Sequence, residues 1–320
     1  MLSAVVKYRL GPFLLASEIP LPELEPLAVG ADAAGTDNIS IRLGEVPERI
    51  ADVVANESRW WASRQEYLLR VPEIANFLVR NGREVLVQPD PGAQPDDIRA
   101  YLLSPIFSTL CHQAGMYSLH GSAVRVGTGV VAFLGNSGAG KSTLAASLAQ
   151  RGYTVVADDI CLLDSRSSAS SADSGPVLVI PVAPALKLWR SALDHLGASH
   201  ESLPRVFSRD DKFRVPVQST ELPVRLPLRE VLFLEWADED QPGELPIFTP
   251  VEGVQAVTRL MEFTHYDYLM KPTGRQTGNF QLCGQILAQA RAFTLRRRRS
   301  FAHLDLTLDA LELHLAALKE

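Results

Sequence analysis

An α/β architecture is expected for this chain, with a small, mainly β amino-terminal domain ahead of a larger domain. The 320 residues are 46% apolar and 21% charged, a composition that buries a large core without disulfides or a structural metal. Short apolar runs separated by turn residues fill the first 95 positions, and β-rich runs alternate with helical patterns after them. We therefore predict two domains, at residues 1–95 and 96–320.

The strands of the amino-terminal domain are predicted from four runs, SAVVKYRL, NISIRL, YLLRV and REVLVQP. Pro89, Pro91 and Pro95 then make the sequence loop-like, and DDIRAYLLSPIFSTLCHQAG repeats its apolar residues at helical spacing. The domain boundary is placed between these prolines and the helix.

The larger domain is predicted to open with a hairpin, SLHGSAVRVGTGVVAFLG, in which a Gly-Thr-Gly turn joins two strands. A glycine-rich loop, a helix near 142–151 and a strand TVVADDICLLD follow. Further strands are predicted at VLVIPV, REVLFLEW, LPIFTPV and AHLDLTL, and helices near 183–196, 252–261, 279–292 and 309–319. The serine-rich segment 165–175 is predicted to be a mobile loop, and Leu186, Trp189 and Leu193 are expected in the core.

Charge and composition argue against several classes of protein. The formal net charge of -6 offers no general attraction for a polyanion, so nucleic acid is not an expected partner. No uninterrupted apolar segment reaches the roughly 18 residues of a membrane span, so no membrane partner is expected. Three cysteines without paired spacing indicate a reducing compartment, and the cytoplasm is the expected location.

A phosphate-binding loop is predicted between the hairpin and the helix. The residues match G-x-x-x-x-G-K-[ST], with an apolar strand directly before them and a helical pattern directly after. Their backbone N–H groups and the helix dipole hold phosphate oxygens, Lys141 reaches the β- and γ-phosphates, and Ser142 places its hydroxyl on Mg²⁺. The predicted nucleotide-binding residues are Gly135, Asn136, Ser137, Gly138, Ala139, Gly140, Lys141, Ser142 and the following Thr143.

Asp158 and Asp159 are the next candidates, because one short helix and a return strand separate them from Lys141. A right-handed crossover places that strand parallel to the first, so that both strands end at the same edge of the sheet. Neighbouring residues on a strand point to opposite faces. One carboxylate is therefore expected to face the reacting phosphoryl group, and the other to bind metal or brace the loop.

Two other groups of side chains have competing interpretations. The run Arg296-Arg297-Arg298-Arg299 could attract an acidic peptide. We favour the alternative that its positive charges stabilise the carboxyl end of the preceding helix. His265 and Asp267 can bind metal, but no second cluster stands at ligand spacing, so no zinc site is expected.

The segment SLHGSAVRVGTGVVAFLGNSGAGKSTLAASLAQRGYTVVADDICLL resembles the catalytic domain of HPr kinase/phosphorylase: His-Gly, hairpin, phosphate loop, RGY and a double aspartate. That family is similar to phosphoenolpyruvate carboxykinase in its core and transfers phosphate from ATP to a protein serine. The resemblance implies that Asp158 is the base, that His120 lies beside it, and that Asp159 and Ser142 lie near Mg²⁺. It also implies that Lys212 faces the phosphates, with a solvated lysine as the alternative.

The chain departs from that family in two ways. The acidic, glycine-rich signature that serves dephosphorylation is not found, so phosphorylase activity is not expected, and the amino-terminal domain differs from the regulatory domain. In overall character the chain is more similar to the HPr kinase-related lasso-peptide kinases.

The predicted function is an ATP- and Mg²⁺-dependent kinase whose partner is a peptide or small protein with an acceptor serine. A small-molecule kinase is an alternative, and a P-loop ATPase or nucleotide-binding regulatory protein is another. Neither LSGGQ nor N-K-x-D occurs, which disfavours that last class. The resemblance is also compatible with a homo-oligomer, in which copies of this chain associate.

Overall fold

A computed structural model describes residues 5–33, 37–164, 175–182, 185–217, 225–238 and 245–318. The chain divides into two units, each made of three segments. The first consists of Met1–Met116, Arg205–Asp210 and Tyr266–Gly278, and the second of Tyr117–Pro204, Asp211–His265 and Asn279–Glu320. The predicted boundary between residues 95 and 96 falls inside the first unit, and the domain division at that point stays a prediction. The predicted mobile loop lies outside the described residues except for its last position.

The first unit is built on one nine-stranded sheet. Its strands are β1 Val6–Leu10, β2 Phe13–Ser17, β3 Ala28–Val29, β4 Asp37–Leu43, β5 Ala55–Asn56, β6 Trp60–Ala62, β7 Glu66–Val71, β8 Ala75–Arg80 and β9 Glu84–Pro89. They pair in the order β3-β1-β2-β4-β9-β8-β7-β6-β5. The four predicted runs form β1, β4, β7 and β9, so the mainly β character of this part of the chain is confirmed.

The predicted helix after the prolines is also present in the first unit. It comprises α1 Pro95–Tyr101, a π-helical segment Leu102–Ile106 and α2 Phe107–Gln113. The wider turn contains Pro105, which has no backbone N–H to donate to the helical ladder and clashes with a regular preceding turn.

A mixed sheet forms the centre of the second unit. Its strands are β10 Tyr117–Val126, β11 Gly129–Leu134, β12 Val155–Ala157, β13 Ile160–Asp164, β14 Leu178–Ile180, β17 Leu226–Trp236, β18 Ile247–Pro250 and β19 Arg291–Arg297. The order is β11-β10-β13-β14-β17-β19-β18, and β11 also pairs with β17. A separate pair, β15 Ala185–Trp189 and β16 Lys212–Pro216, completes the strands of the described part of this unit.

Helices flank this sheet. They are α3 Lys141–Gln150, α4 Arg190–His195, α5 Gly253–Glu262, α6 Gln276–Gln289 and α7 Leu304–Ala316. Buried side chains of α3 and α7, among them Leu144 and Leu311, share one core with Phe133 of β11 and Leu295 of β19. No helix in the described ranges is long and apolar enough to cross a membrane.

The predicted relation between the loop strand and the aspartate strand is confirmed in direction. β11, β12 and β13 each pair antiparallel with β10, so these three strands run in the same direction. Leu134 at the end of β11 pairs with Gly121, and Ala157 at the end of β12 pairs with Ala123. Both strands therefore end at the same edge of the sheet, and β10 lies between them.

The helix predicted near residues 183–196 is wrong over its first half, where the chain forms β15. Leu186 and Leu188 are buried, while Trp189 on the opposite face is 49% exposed. Alternating burial is the signature of a strand, and pairing with β16 stabilises it. Leu186 and Leu193 lie in the core as expected, but Trp189 does not.

The strand predicted at AHLDLTL is also wrong, because this segment enters α7. Leu304, Leu308, Leu311 and Leu315 are all buried at helical spacing, whereas Leu306 is exposed. The short run alternates apolar and polar residues, but the pattern with a period of 3.6 continues over three turns and determines the structure.

The helix predicted near residues 279–292 ends earlier, at Gln289, and residues 291–297 form β19. The arginine run therefore ends a strand, and our interpretation of it as a favourable helix terminus is wrong.

Candidate active site

The glycine-rich loop turns back on itself between β11 and α3. Gly138 and Gly140 have φ angles of 81° and 77°, in the left-handed region that glycine adopts without steric cost. A Cβ atom at Gly140 would lie 2.8 Å from Nη2 of Arg297, so the position also lacks room for a side chain. The loop thus has the left-handed backbone and close packing that its glycines permit.

Lys141 folds back over this loop. Its Nζ donates to the carbonyl oxygens of Gly135 (2.7 Å) and Asn136 (3.2 Å). Burial lowers the pKa of Lys141 to about 8, although Asp159 and Asp158 act in the opposite direction. An anionic ligand at the loop would further stabilise the charged form of the amine.

Arg297 and Trp236 support the loop from beneath. Arg297 is buried, its Nη2 donates to the carbonyl oxygen of Ala139, and its guanidinium lies 4.0 Å from the centroid of the Trp236 ring. Trp236 Nε1 donates to the carbonyl of Gly138 (3.3 Å). Sequence reasoning missed both residues, although the arginine run marked the region.

Asp158 connects the loop to β10 and to β15. Its Oδ1 accepts hydrogen bonds from the hydroxyls of Ser122 (2.6 Å) and Ser142 (2.8 Å), and its Oδ2 accepts one from the backbone N–H of Lys187 (2.7 Å). The resemblance implied that Ser142 and Asp159 lie together near the metal. In the structure the carboxylate in contact with Ser142 is Asp158.

Asp159 faces a different set of partners. It occupies the turn between β12 and β13 with φ 68°, so the predicted single strand is interrupted there. Lys187 Nζ donates to Oδ2 (2.6 Å), and Nδ1 of His120 lies 3.6 Å from Oδ1. Burial would raise the pKa of Asp159, but the charge of Lys187, with His265 and His120, holds it well below its usual range. Lys187 is a further residue that the sequence did not indicate.

Burial also lowers the pKa of His120, and the nearby charge of Lys141 lowers it further, against the opposing effect of Asp159. The ring of His120 stacks on that of His265, with ring centroids 5.1 Å apart. His120, Asp159 and His265 each place one potential ligand atom within 4.8 Å of the other two.

A cavity of about 550 Å³ opens beside these residues, within the size range of small-molecule sites. Five cationic side chains line it against two carboxylates, so it attracts anions although the chain is acidic overall. The cationic and aromatic residues that line it are Lys141, Lys187, Trp189, Lys212, Trp236, Arg297, Arg299 and Phe301.

Most of the predicted site residues meet at this cavity. Its described lining includes Ser137, Gly138, Gly140, Lys141, Ser142, Thr143, His120, Asp158, Asp159 and Lys212. Gly135, Asn136 and Ala139 are not in that lining, and their carbonyl groups instead accept the hydrogen bonds described above. Lys212 opens β16 and lies 5.7 Å from the centroid of the Trp189 ring.

The donor set at this site suits a nucleotide with its metal. The hydroxyl of Ser142 and the buried carboxylate of Asp158 are hard oxygen ligands of the kind that Mg²⁺ prefers. Residues 140–143, where α3 begins, line the cavity, and the backbone N–H groups at the start of a helix are suited to bind phosphate.

No protein-family model matches this chain, and no curated protein matches it. Among solved structures, the HPr(Ser) kinase/phosphatase from Coxiella burnetii matches with 10% sequence identity. The match covers 63% of this chain and 99% of that one, with a TM-score of 0.31. A likeness of this size carries no argument about activity. The chain itself is a mixed α/β protein with a β-rich amino-terminal part and a second unit centred on a sheet.

Proposed function

We propose that this chain is a kinase that transfers a phosphoryl group from ATP, with Mg²⁺, to a hydroxyl group. The observation that carries the proposal is the hydrogen bond between Ser142 and Asp158, which places a buried carboxylate at the end of the phosphate loop, where α3 begins. A phosphate loop with its lysine, its hydroxyl and an adjoining carboxylate is the minimum set of parts for phosphoryl transfer.

The cationic lining of the cavity has a direct use in this reaction. Lys141 and Lys212 neutralise the phosphate oxygens of the donor, and Arg299 and Lys187 extend the positive surface around them. Mg²⁺, when bound beside Ser142, supplies further neutralisation of the phosphates. The aromatic side chains Trp189, Trp236 and Phe301 give a nucleobase surfaces on which to stack.

Asp158 is the proposed partner of the acceptor hydroxyl. The hydroxyl oxygen forms a bond to the γ-phosphorus, the bond from that phosphorus to the bridging oxygen breaks, and ADP leaves. The hydroxyl proton passes to Asp158, whose carboxylate is held in place by Ser122, Ser142 and the backbone of Lys187.

We propose a serine of a peptide or small protein as the acceptor. This finer assignment rests on the resemblance of the segment around His120, the phosphate loop and the double aspartate to the HPr kinase family. A lasso-peptide precursor is the acceptor class to examine first.

The test is transfer of labelled phosphate from γ-labelled ATP to serine-ending peptides, followed by peptide mass and by free phosphate. Asp158→Asn should lower transfer by at least about 100-fold while nucleotide binding persists, because the amide keeps the shape but takes up no proton. Asp305→Asn, at an exposed aspartate of α7, is the matched control.

Two results would contradict the proposal. Unchanged phosphate transfer in Asp158→Asn would show that this carboxylate does not accept the proton of the acceptor hydroxyl. Release of free phosphate with no modified peptide would favour an ATPase.

A further inference from the structure

A second cavity, of about 510 Å³, lies at the carboxyl ends of β11 and β17 in the second unit. Its walls come from the start of the phosphate loop, the end of β17, and α5 with the residue that follows it. The lining includes Asn136, Glu235, Gln255, Arg259, Glu262 and Phe263. In open α/β sheets, ligands bind outside the carboxyl ends of the strands, so this cavity is well placed for a ligand.

The second cavity adjoins the first cavity, beside the phosphate loop, at two points. The carbonyl oxygen of Asn136 accepts a hydrogen bond from Nζ of Lys141 (3.2 Å), which lines the first cavity. The backbone N–H of His120, also in that first lining, donates to the carbonyl oxygen of Phe263 (2.7 Å). An extended chain advances about 3.3 Å per residue. A peptide whose serine faces Asp158 therefore reaches the second cavity within a few residues.

The two cavities differ in charge. Five cationic side chains line the first against two carboxylates, whereas the second has one guanidinium and two carboxylates. That guanidinium, of Arg259, pairs with Oε1 of Glu235 (2.8 Å) and donates to the hydroxyl of Thr294 (2.6 Å). Oε2 of Glu235 pairs with Arg296 (3.0 Å). The charges of Arg259 and Glu235 are thus compensated by each other and by their neighbours.

The remaining charge of the second cavity is that of Glu262, the last residue of α5. Within the described ranges, no side chain pairs with its carboxylate. The side-chain amides of Asn136 and Gln255 line the same cavity, and their oxygens accept hydrogen bonds. A lysine or arginine side chain satisfies this set of acceptors, because its cationic group carries several N–H donors.

We propose that the second cavity binds a lysine or arginine of the peptide acceptor, within about three residues of the serine that receives the phosphoryl group. This inference rests on the proposed kinase function and adds a basic residue to the description of its substrate. Glu262 pairs with that basic residue. Because this carboxylate is exposed to water, the pair changes affinity by a few fold, so it selects among acceptors and does not supply most of the binding.

The test compares serine peptides that differ at one position. A lysine, a glutamate or an alanine is placed at each position within about three residues of the serine, and kcat/KM for transfer from γ-labelled ATP is measured. At one of these positions we expect lysine to exceed glutamate by about fivefold. The difference should lie in KM, because the basic residue takes no part in the chemistry. High salt should reduce it, since salt screens an exposed ion pair.

Glu262→Lys should reverse this preference, and Glu262→Gln should abolish it. A lysine at the carboxyl end of α5 interacts favourably with the helix dipole, so the variant retains the fold. Glu201→Lys makes the same charge change at an exposed glutamate of the same unit, outside the lining of the second cavity. This control should keep the preference of the wild type. Reversal by one variant and not by the other separates a specific pair from a general effect of charge.

A second readout does not depend on transfer. Labelled peptides with alanine in place of the serine are titrated with the protein, ADP and Mg²⁺, and binding is followed by fluorescence anisotropy. Transfer with equal kcat/KM for all peptides would overturn the inference and leave the kinase proposal standing. A preference for lysine in binding that is lost in Glu262→Gln, without transfer to any serine peptide, would support the second cavity and contradict the kinase proposal. Failure of every peptide to bind would overturn the inference.

Discussion

Lys141 illustrates how the site is prepared for a ligand. The residue is only 8% exposed, and its amine donates to two carbonyl groups of the loop, an arrangement that water-exposed lysines do not have. Burial lowers its pKa to about 8, which brings its titration within reach of ordinary buffers. A polyphosphate stabilises the charged amine and therefore raises this pKa on binding.

We expect ATP affinity to fall as the pH rises through about 8, since binding then requires uptake of a proton by Lys141. Between the pKa of the free protein and that of the complex, affinity falls by up to about tenfold per pH unit. The measurement is calorimetric titration with ATP and a chelator, so that metal makes no contribution. Lys141→Met should bind weakly with little dependence on pH over the same interval, and an equally steep dependence in that variant would assign the effect to another group.

Strand β19 has a second role besides pairing with β17 and β18. Its last residue, Arg297, is buried under the phosphate loop, while Arg296 next to it is exposed and pairs with Glu235 (3.0 Å). Alternation along the strand thus separates two adjacent arginines into a support for the loop and a surface ion pair. Burial lowers the pKa of Arg297 to about 10, which still leaves the guanidinium charged at neutral pH.

Arg297→Met should weaken ATP binding by about tenfold, because a hydrogen bond from a charged group to the carbonyl of Ala139 is lost. Methionine retains most of the buried apolar volume against Trp236. Binding is followed by the fluorescence of the tryptophans, with Arg296→Met as the matched control from the same run. Equal affinities in the two variants would show that the loop needs no support from this strand.

Both units bury free thiols. Cys111 of the first unit and Cys161 and Cys283 of the second have at most 1% of their surface exposed. Burial raises the pKa of each thiol, to about 12 for Cys161 and Cys283. The reactive thiolate is consequently scarce at every position, and access requires opening of the surrounding core.

Labelling by a thiol reagent at pH 8 should be at least about 100-fold slower in the native protein than in denaturant. Mass spectrometry of the labelled peptides, followed through a denaturant series, assigns the opening of Cys111 to the first unit and that of Cys283 to the second. Rapid labelling of Cys283 in the native protein would contradict the burial of this residue on the inner face of α6.

Local pattern was sufficient for the parts of the site that are continuous in the chain. The phosphate loop is eight consecutive residues whose own backbone makes the binding surface, and Asp158 and Asp159 follow it by one short crossover. Glycine, lysine and serine are required there for reasons of backbone shape and charge, so the motif identifies them without knowledge of the rest of the fold. Their chemical roles remain predictions.

The remaining side chains of the site were decided by pairing between distant segments. Lys187 meets Asp159 across 28 positions, and Arg297 meets Ala139 across 158. Strands β15 and β19 carry Lys187 and Arg297, and both strands lie where the sequence pattern predicted a helix or the end of one. Short apolar runs are compatible with both strands and helices. Which of the two forms depends on packing against residues that are distant in the sequence, and the sequence alone does not show which residues these are.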